Sequence, residues 1–201
     1  MRYQFNQYSE IIQQLKASQI IALPTDTVFG LAALASSEMA VQRLREVKQR
    51  PQEKVFSYMV ANLEMIEEVC ELTNRDRFIV SNLLPGAWTF IFRKKQPNPL
   101  IDNGLETIAI RIPDLVETVE IIKHLGTGIY MPSANISGQP ALVKADDVFA
   151  TFAGQIAGVL DIDAANGRES TIVDCTQEEL VLVRQGVMDM DIIHKKMKEF
   201  I

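Results

Sequence analysis

The chain has 201 residues, 47% of them hydrophobic and 23% charged, values that suit one soluble domain, residues 1–201, with a proper core. Its formal net charge of −6 excludes a global basic field that would draw it to nucleic acid or a membrane surface, so any polyanion must be met at a local basic site. The N-terminal Met-Arg-Tyr-Gln-Phe has no apolar leader core and no apolar stretch reaches spanning length, so no membrane partner and a cytoplasmic location are expected.

In chain order, Ser9 is placed to cap a short amphipathic helix carrying Ile11, Ile12 and Leu15. Residues 20–23 read as an apolar strand that runs into a turn, Pro24-Thr25-Asp26-Thr27-Val28-Phe29-Gly30-Leu31. Ser37 opens a helix with Met39, Val41, Leu44 and Val47 on its apolar face, ending near Pro51. Residues 55–60 read as a strand, and helices begin at Leu63 and Asn74. Residues 88–92 and 107–112 are strands, the second alternating with Ile108, Ile110 and Ile112 on one face and Thr107, Ala109 and Arg111 on the other. A helix over 115–125, a strand over 129–131 and a loop over 132–138 follow. Asp146 and Asp147 start another helix, strands occupy 159–162, 171–174 and 180–184, and the tail from Asp189 is helical with basic residues late. Several strands succeed one another with no room for a crossover helix. The expected fold is therefore α/β, a mixed parallel and antiparallel sheet with packed helices.

Four polar segments are more than core building requires: residues 24–31, Lys48-Gln49-Arg50-Pro51, the odd-numbered face ending in Arg111, and Ser133-Ala134-Asn135, with Ser170-Thr171 and Arg184-Gln185-Gly186 nearer the C-terminus. Strand ends and the loops after them are the usual ligand sites of open α/β sheets. Each segment also has a plainer reading. Lys48 and Arg50 suit a solvated helix C-terminus, Arg111 a structural ion pair, Ser133 and Asn135 a turn, and Arg184 the end of an edge strand. Cys70, Cys175, His124 and His194 are isolated from one another, and neither a zinc site nor a disulfide is suggested. No phosphate loop of the G-x-x-x-x-G-K-[ST] type is present, and no motif brings a histidine to Ser133. Hydroxyls, one amide and cations, with Asp26 the lone carboxylate, form a set that binds and orients anions.

Taken together these segments resemble the YrdC-like family, in particular its stand-alone bacterial-type members. Residues 24–31 are similar to its P-T-[DE]-x-[VI]-[FY]-G-[LV] opening, and Lys48-Gln49-Arg50-Pro51 to its K-x-R-P. Residues 84–90 resemble its P-G-P-x-T-F segment with Ala87 for the second proline, and 107–113 its T-[IVL]-[AG]-[VI]-R-x-P strand. Residues 132–138 resemble its S-A-N-x-S-G loop, and Ser170-Thr171 and Arg184-Gln185-Gly186 its closing elements. Met59 stands where many relatives carry a histidine.

The resemblance implies an α/β fold with a twisted mixed sheet and a concave, locally basic ligand cavity. It also implies a nucleotidyltransferase, an L-threonylcarbamoyladenylate synthase that condenses L-threonine, bicarbonate and ATP for tRNA modification. By position, Thr27, Arg111, Ser133 and Ser170 would hold threonine, and Lys48, Arg50, Lys54, Thr107, Asn135 and Arg184 would hold ATP. Lys48, Arg50, Ser133 and Asn135 would flank the reacting atoms. Mg²⁺ is implied on the triphosphate, with no tightly bound protein metal. tRNA and the threonylcarbamoyl transferase complex are implied as further partners. A paralogue acting on a different substrate and a non-catalytic RNA-binding module are the alternatives, the latter disfavoured by the net charge and the lack of aromatic-basic interleaving.

Overall fold

A computed structural model describes residues 1–49, 56–96 and 104–200. The chain runs through β1 (Arg2–Tyr3), a 3₁₀ turn (Phe5–Gln7), α1 (Tyr8–Lys16), β2 (Ile21–Leu23), β3 (Gly30–Leu34), α2 (Glu38–Lys48) and β4 (Tyr58–Met59). It continues with α3 (Leu63–Val69), β5 (Cys70–Glu71), α4 (Asn74–Leu83), β6 (Trp88–Lys94), β7 (Thr107–Arg111), α5 (Val116–Leu125) and β8 (Ile129–Tyr130). The last elements are α6 (Ala145–Thr151), β9 (Gly158–Leu160), β10 (Thr171–Asp174), β11 (Val181–Arg184) and α7 (Met190–Met197).

Local chemistry sets several boundaries. Ser37 caps α2, its hydroxyl accepting from the Ala40 amide at 3.2 Å, and Gln49 ends that helix in the left-handed region at φ 50°. Thr73 and Asp76 form a reciprocal capping box at α4. Ser9 is not a cap: the helix begins at Tyr8, after a turn in which the Gln7 side chain accepts from the Gln4 amide. Met39 is 62% exposed, and the buried stripe of α2 is Ala40, Val41, Leu44, Val47 and Lys48.

Among the described residues the strands form one mixed sheet in the order β1-β9-β2-β3-β8-β4-β7-β6-β10-β11, with β5 beside β6. The pairs β1–β9, β9–β2, β4–β7 and β6–β10 are parallel, and β2–β3, β3–β8, β8–β4, β7–β6, β10–β11 and β5–β6 antiparallel. The expected mixed sheet with packed helices is what forms.

Alternation along the strands divides the core. Ala22, Leu31, Ala33, Tyr58, Phe90, Ile110 and Val173 pack with the buried residues of α2, α4 and α6 on one face. Ile21, Leu23, Ala32, Met59 and Ile129 pack on the other face with Ile11 and Leu15 of α1 and Ile121, Ile122 and Leu125 of α5. That second cluster takes nothing from β6, β7, β10 or β11. The two helices therefore leave the far half of their face uncovered, which is where the polar segments converge. No helix among the described residues is long and apolar enough to cross a membrane.

Candidate active site

The half of the sheet that α1 and α5 leave uncovered forms the floor of a hollow of about 370 Å³, within the range of small-molecule sites. Ile91, Ala109, Ile172 and Val183 supply apolar floor, and Met59 and Met131 the border with the helix-covered half. The polar walls come from the loop after β2, the end of β7, the loop after β8, the residues before β10 and the end of β11. The loops after β2 and β8 are tied together: the Ala134 amide donates to Phe29 O at 2.6 Å and the Leu31 amide to Pro132 O at 2.9 Å. A Cβ on Gly30 would lie 2.4 Å from Met131 Cγ, so glycine at the first residue of β3 lets the Met131 side chain lie across the strand.

Arg111 closes the inner end of this hollow. Its guanidinium is 3% exposed and donates from Nε to Gly86 O at 3.0 Å, from Nη1 to Thr27 Oγ1 at 2.9 Å and from Nη2 to Asp26 Oδ1 at 2.6 Å. Burial lowers its pKa, the Asp26 carboxylate opposes that, and the charge of Arg184 adds to the lowering. Asp26 Oδ1 also accepts from the Asp114 amide at 3.0 Å. Thr25 shapes the loop: its Oγ1 accepts from the amides of Thr27 and Val28 and donates to Val28 O at 2.8 Å. With that hydrogen spent, the 2.8 Å contact between the two hydroxyls has Thr27 as its donor.

Lys48 is not a solvated cation at a helix end. Its side chain is 1% exposed, and Nζ donates to Ser133 O, to Asn135 O at 3.0 Å and to Asn135 Oδ1 at 3.0 Å. Asn135 Oδ1 also accepts from Ser133 Oγ at 2.8 Å, while Nδ2 donates to Ile136 O at 3.1 Å and Gln139 O at 2.6 Å. Ser133 lines the hollow, and Lys48 and Asn135 are joined to it through their bonds to Ser133.

The opposite wall is an edge. Ser170 Oγ lies 2.7 Å from Thr89 Oγ1, and Arg184 donates from Nη2 to Ser170 O at 2.9 Å and pairs through Nη1 with Glu169 at 2.6 Å. The β10–β11 register shifts, Ile172 facing Arg184 and Val173 facing Leu182, so Val183 is one residue extra. This bulge is why the consecutive residues Val183 and Arg184 both line the hollow. Beyond it, a Cβ on Gly186 would lie 2.3–2.4 Å from the backbone joining Glu169, Ser170 and Thr171. Only glycine lets the chain pass there, and Thr171 Oγ1 accepts from the Gly186 amide at 3.1 Å.

Of the residues singled out in the sequence, Thr27, Arg111, Ser133, Ser170 and Arg184 line one hollow. Lys48 and Asn135 are joined to it through Ser133. Thr107 lies at the other end of β7, opposite Arg93. Arg50 and Lys54 lie outside the described residues. Sequence reasoning missed Glu169, gave no individual role to Thr25 or Thr89 inside the motifs it quoted, and read Asp26 without its partner Arg111, 85 positions away. The signal in the sequence was the place of Thr25 in a turn, between Pro24 and Asp26, where a hydroxyl bonds the following backbone; in the fold it is 2% exposed and does so.

Comparison with known proteins places the chain. The profile of the Sua5, YciO and YrdC family, described as telomere recombination, matches residues 13–186. A Bacillus subtilis threonylcarbamoyl-AMP synthase is 34% identical over 184 residues, which cover 90% of this chain and 53% of that protein. A Shigella boydii threonylcarbamoyl-AMP synthase is 33% identical over 179 residues, covering 87% of this chain and 93% of the relative. The structure of P. abyssi Sua5 complexed with L-threonine superposes with a TM-score of 0.92 at 30% identity, covering 99% of this chain and 61% of that one. The chain thus spans about half the length of the Bacillus relative and nearly all of the Shigella one. It belongs to the Sua5–YciO–YrdC family.

Proposed function

We propose that this chain is a threonylcarbamoyl-AMP synthase, joining L-threonine, bicarbonate and ATP and releasing pyrophosphate, to supply the activated group for threonylcarbamoyladenosine in tRNA. The observation that carries the reading is the valence of Arg111. A guanidinium has five N–H donors, and three are spent on Gly86, Thr27 and Asp26. One donor on each terminal nitrogen is left for a ligand, beside the hydroxyls of Thr27, Ser133 and Ser170. A carboxylate is the group such a fork takes. The threonine complex of the Pyrococcus relative and the names of the bacterial relatives support the same reading.

In the proposed reaction the threonine amine combines with bicarbonate, losing water, to give a carbamate. A carbamate oxygen then attacks the α-phosphorus of ATP and pyrophosphate leaves. Both reactants are anions, so a cation that neutralises the phosphates lowers the barrier, and Arg184, on the open wall, is assigned that task. No covalent intermediate on the protein is required. Holding two reactants in line supplies on the order of 7–11 kcal/mol. For Mg²⁺, Asp26 and Glu169, the carboxylates at the hollow among the described residues, are each committed to an arginine at 2.6 Å. Among the described residues no acidic or thiol–imidazole cluster forms a cage. The ion is assigned to the triphosphate and water, and no step is routed through it. Handing of the product to a threonylcarbamoyl transferase complex belongs to the same proposal.

The test is pyrophosphate release with ATP, threonine and bicarbonate, each omitted in turn. Release should require all three. Release independent of threonine, or none with Mg²⁺ in excess, would assign the chain to a different substrate within its family.

A further inference from the structure

We propose that Lys48 is a positioning residue that fixes the hydrogen-bond polarity of Ser133, so that Ser133 meets the substrate only as an acceptor and reads its amino group. The inference rests on the amino-acid substrate assigned above, and departs from the resemblance, which would give Lys48 to ATP.

An ammonium has three N–H donors and no acceptor. Those of Lys48 have three oxygens to meet, Ser133 O, Asn135 O and Asn135 Oδ1, at a side chain with almost no exposed surface. With all three committed, none is left for a phosphate in this arrangement.

The consequence passes to Asn135. The two ends of a carboxamide are exchangeable in principle, but here its surroundings decide between them. One end faces the Lys48 ammonium, which can only donate, and the other faces the carbonyls of Ile136 and Gln139, which can only accept. Reversal would set donor against donor and acceptor against acceptor. Oδ1 is therefore held toward Lys48.

Oδ1 is also the atom 2.8 Å from Ser133 Oγ. A carboxamide oxygen cannot donate, so the single hydroxyl hydrogen of Ser133 points at Asn135 and away from the hollow. What Ser133 shows the hollow is lone pairs, which suit an N–H and repel a carboxylate or phosphate oxygen. Arg111, which lines the same hollow, shows spare donors. The hollow thus offers spare donors at Arg111 and a committed acceptor at Ser133, the pattern that an α-amino acid matches with its carboxylate and its amine. The amine is the atom that must become the carbamate nitrogen, so its placement is part of the chemistry and not of affinity alone.

Titration calorimetry on the whole chain tests this with three probes: L-threonine, 3-hydroxybutanoate (threonine without its amine) and ATP with Mg²⁺. The parent should prefer threonine to 3-hydroxybutanoate. Ser133→Ala should lose roughly 10- to 100-fold in threonine affinity, as expected for a bond to a charged donor, and leave 3-hydroxybutanoate unchanged. Lys48→Met should lose part of the same discrimination, because the Ile136 and Gln139 carbonyls still hold Nδ2, while ATP affinity stays within about twofold, because no N–H was available to the phosphates. Asn135→Leu removes the acceptor of the Ser133 hydroxyl itself without burying a new charge and should lose the discrimination more fully than Lys48→Met, which keeps the test open if the lysine variant misfolds. Equal weakening of both carboxylate probes in Ser133→Ala, or a tenfold loss of ATP affinity with threonine binding intact in Lys48→Met, overturns the proposal alone. Failure of the parent to bind threonine overturns it together with the assigned substrate.

Discussion

Two arginines line the same hollow, each 2.6 Å from a carboxylate, yet they belong to different kinds of structure. Arg111 ends an internal strand, and its side chain is 3% exposed against 16% for Asp26. Arg184 ends the edge strand β11, and its side chain and that of Glu169 are each 38% exposed. Removing one partner of a buried pair leaves a charge with nothing to balance it, whereas exposed pairs are screened by water and contribute little. One wall of the hollow is thus part of the folded core and the other is adjustable, which suits a small amino acid held deep and a flexible triphosphate held near the rim.

The largest effect should come from Arg111. Arg111→Ala is expected to cost about 3–5 kcal/mol of stability, a fall of about 6–20 °C in melting temperature for a chain of this size. It should also abolish threonine-dependent pyrophosphate release. Arg111→Lys keeps the charge but not the fork, and should raise the KM for threonine at least about tenfold with that for ATP less affected. A melting temperature of Arg111→Ala equal to the parent's would erase the distinction between the walls.

Arg184→Ala should be nearly silent in stability, within about 1 kcal/mol, and visible in function. Its KM for ATP should rise roughly tenfold while threonine binding by calorimetry holds. A threonine defect larger than the ATP defect would exchange the two subsites.

The smallest effect concerns the thiols, and it asks whether the edge opens. Burial pushes both Cys70 and Cys175 up from 9.0 to about 12. At pH 8 each should label about a thousandfold more slowly than a free thiol, since the thiolate is the reactive form. Cys175, directly after β10, should keep pace with Cys70 if β11 stays closed; faster labelling of Cys175 would show the edge strand opening. The sign of the linkage follows. The folded state holds these protons more tightly than the unfolded chain, so their contribution to stability is complete below pH 9 and is lost as pH rises toward about 12.

How much of this was legible depended on whether local pattern or distant contact decided the outcome. The helices beginning at Leu63 and Asn74 and the strand Thr171–Asp174 appear where caps and β-branched residues put them. The strand Gly30–Leu34 escaped notice because Gly30 closes a motif that reads as a turn. It is extended because it pairs with β2 and β8 and because Met131 occupies the space over the glycine. Arg2–Tyr3 is a strand only through its pairing with β9, more than 150 positions away, which no local window contains. The same division runs through the site. Thr27, Arg111, Ser133, Ser170 and Arg184 converge because motif order in an α/β sheet places strand ends together. That Lys48 would be enclosed by a loop 85–87 positions on, and that Asn135 would be spent on that loop, depends on tertiary approach that residue type does not encode.

The extra residue at Val183 has a second consequence, in solubility. β11 carries Val181, Leu182 and Val183, each 41–55% exposed, on a strand whose outer edge has no neighbour among the described strands. A flat apolar edge of this kind is a template on which another chain can add a strand, the first step toward aggregation. A bulge breaks the even spacing of backbone donors and acceptors that an incoming strand would need and twists the edge away from it. The irregularity that brings Arg184 into the hollow therefore also makes this edge a poorer template for a second sheet.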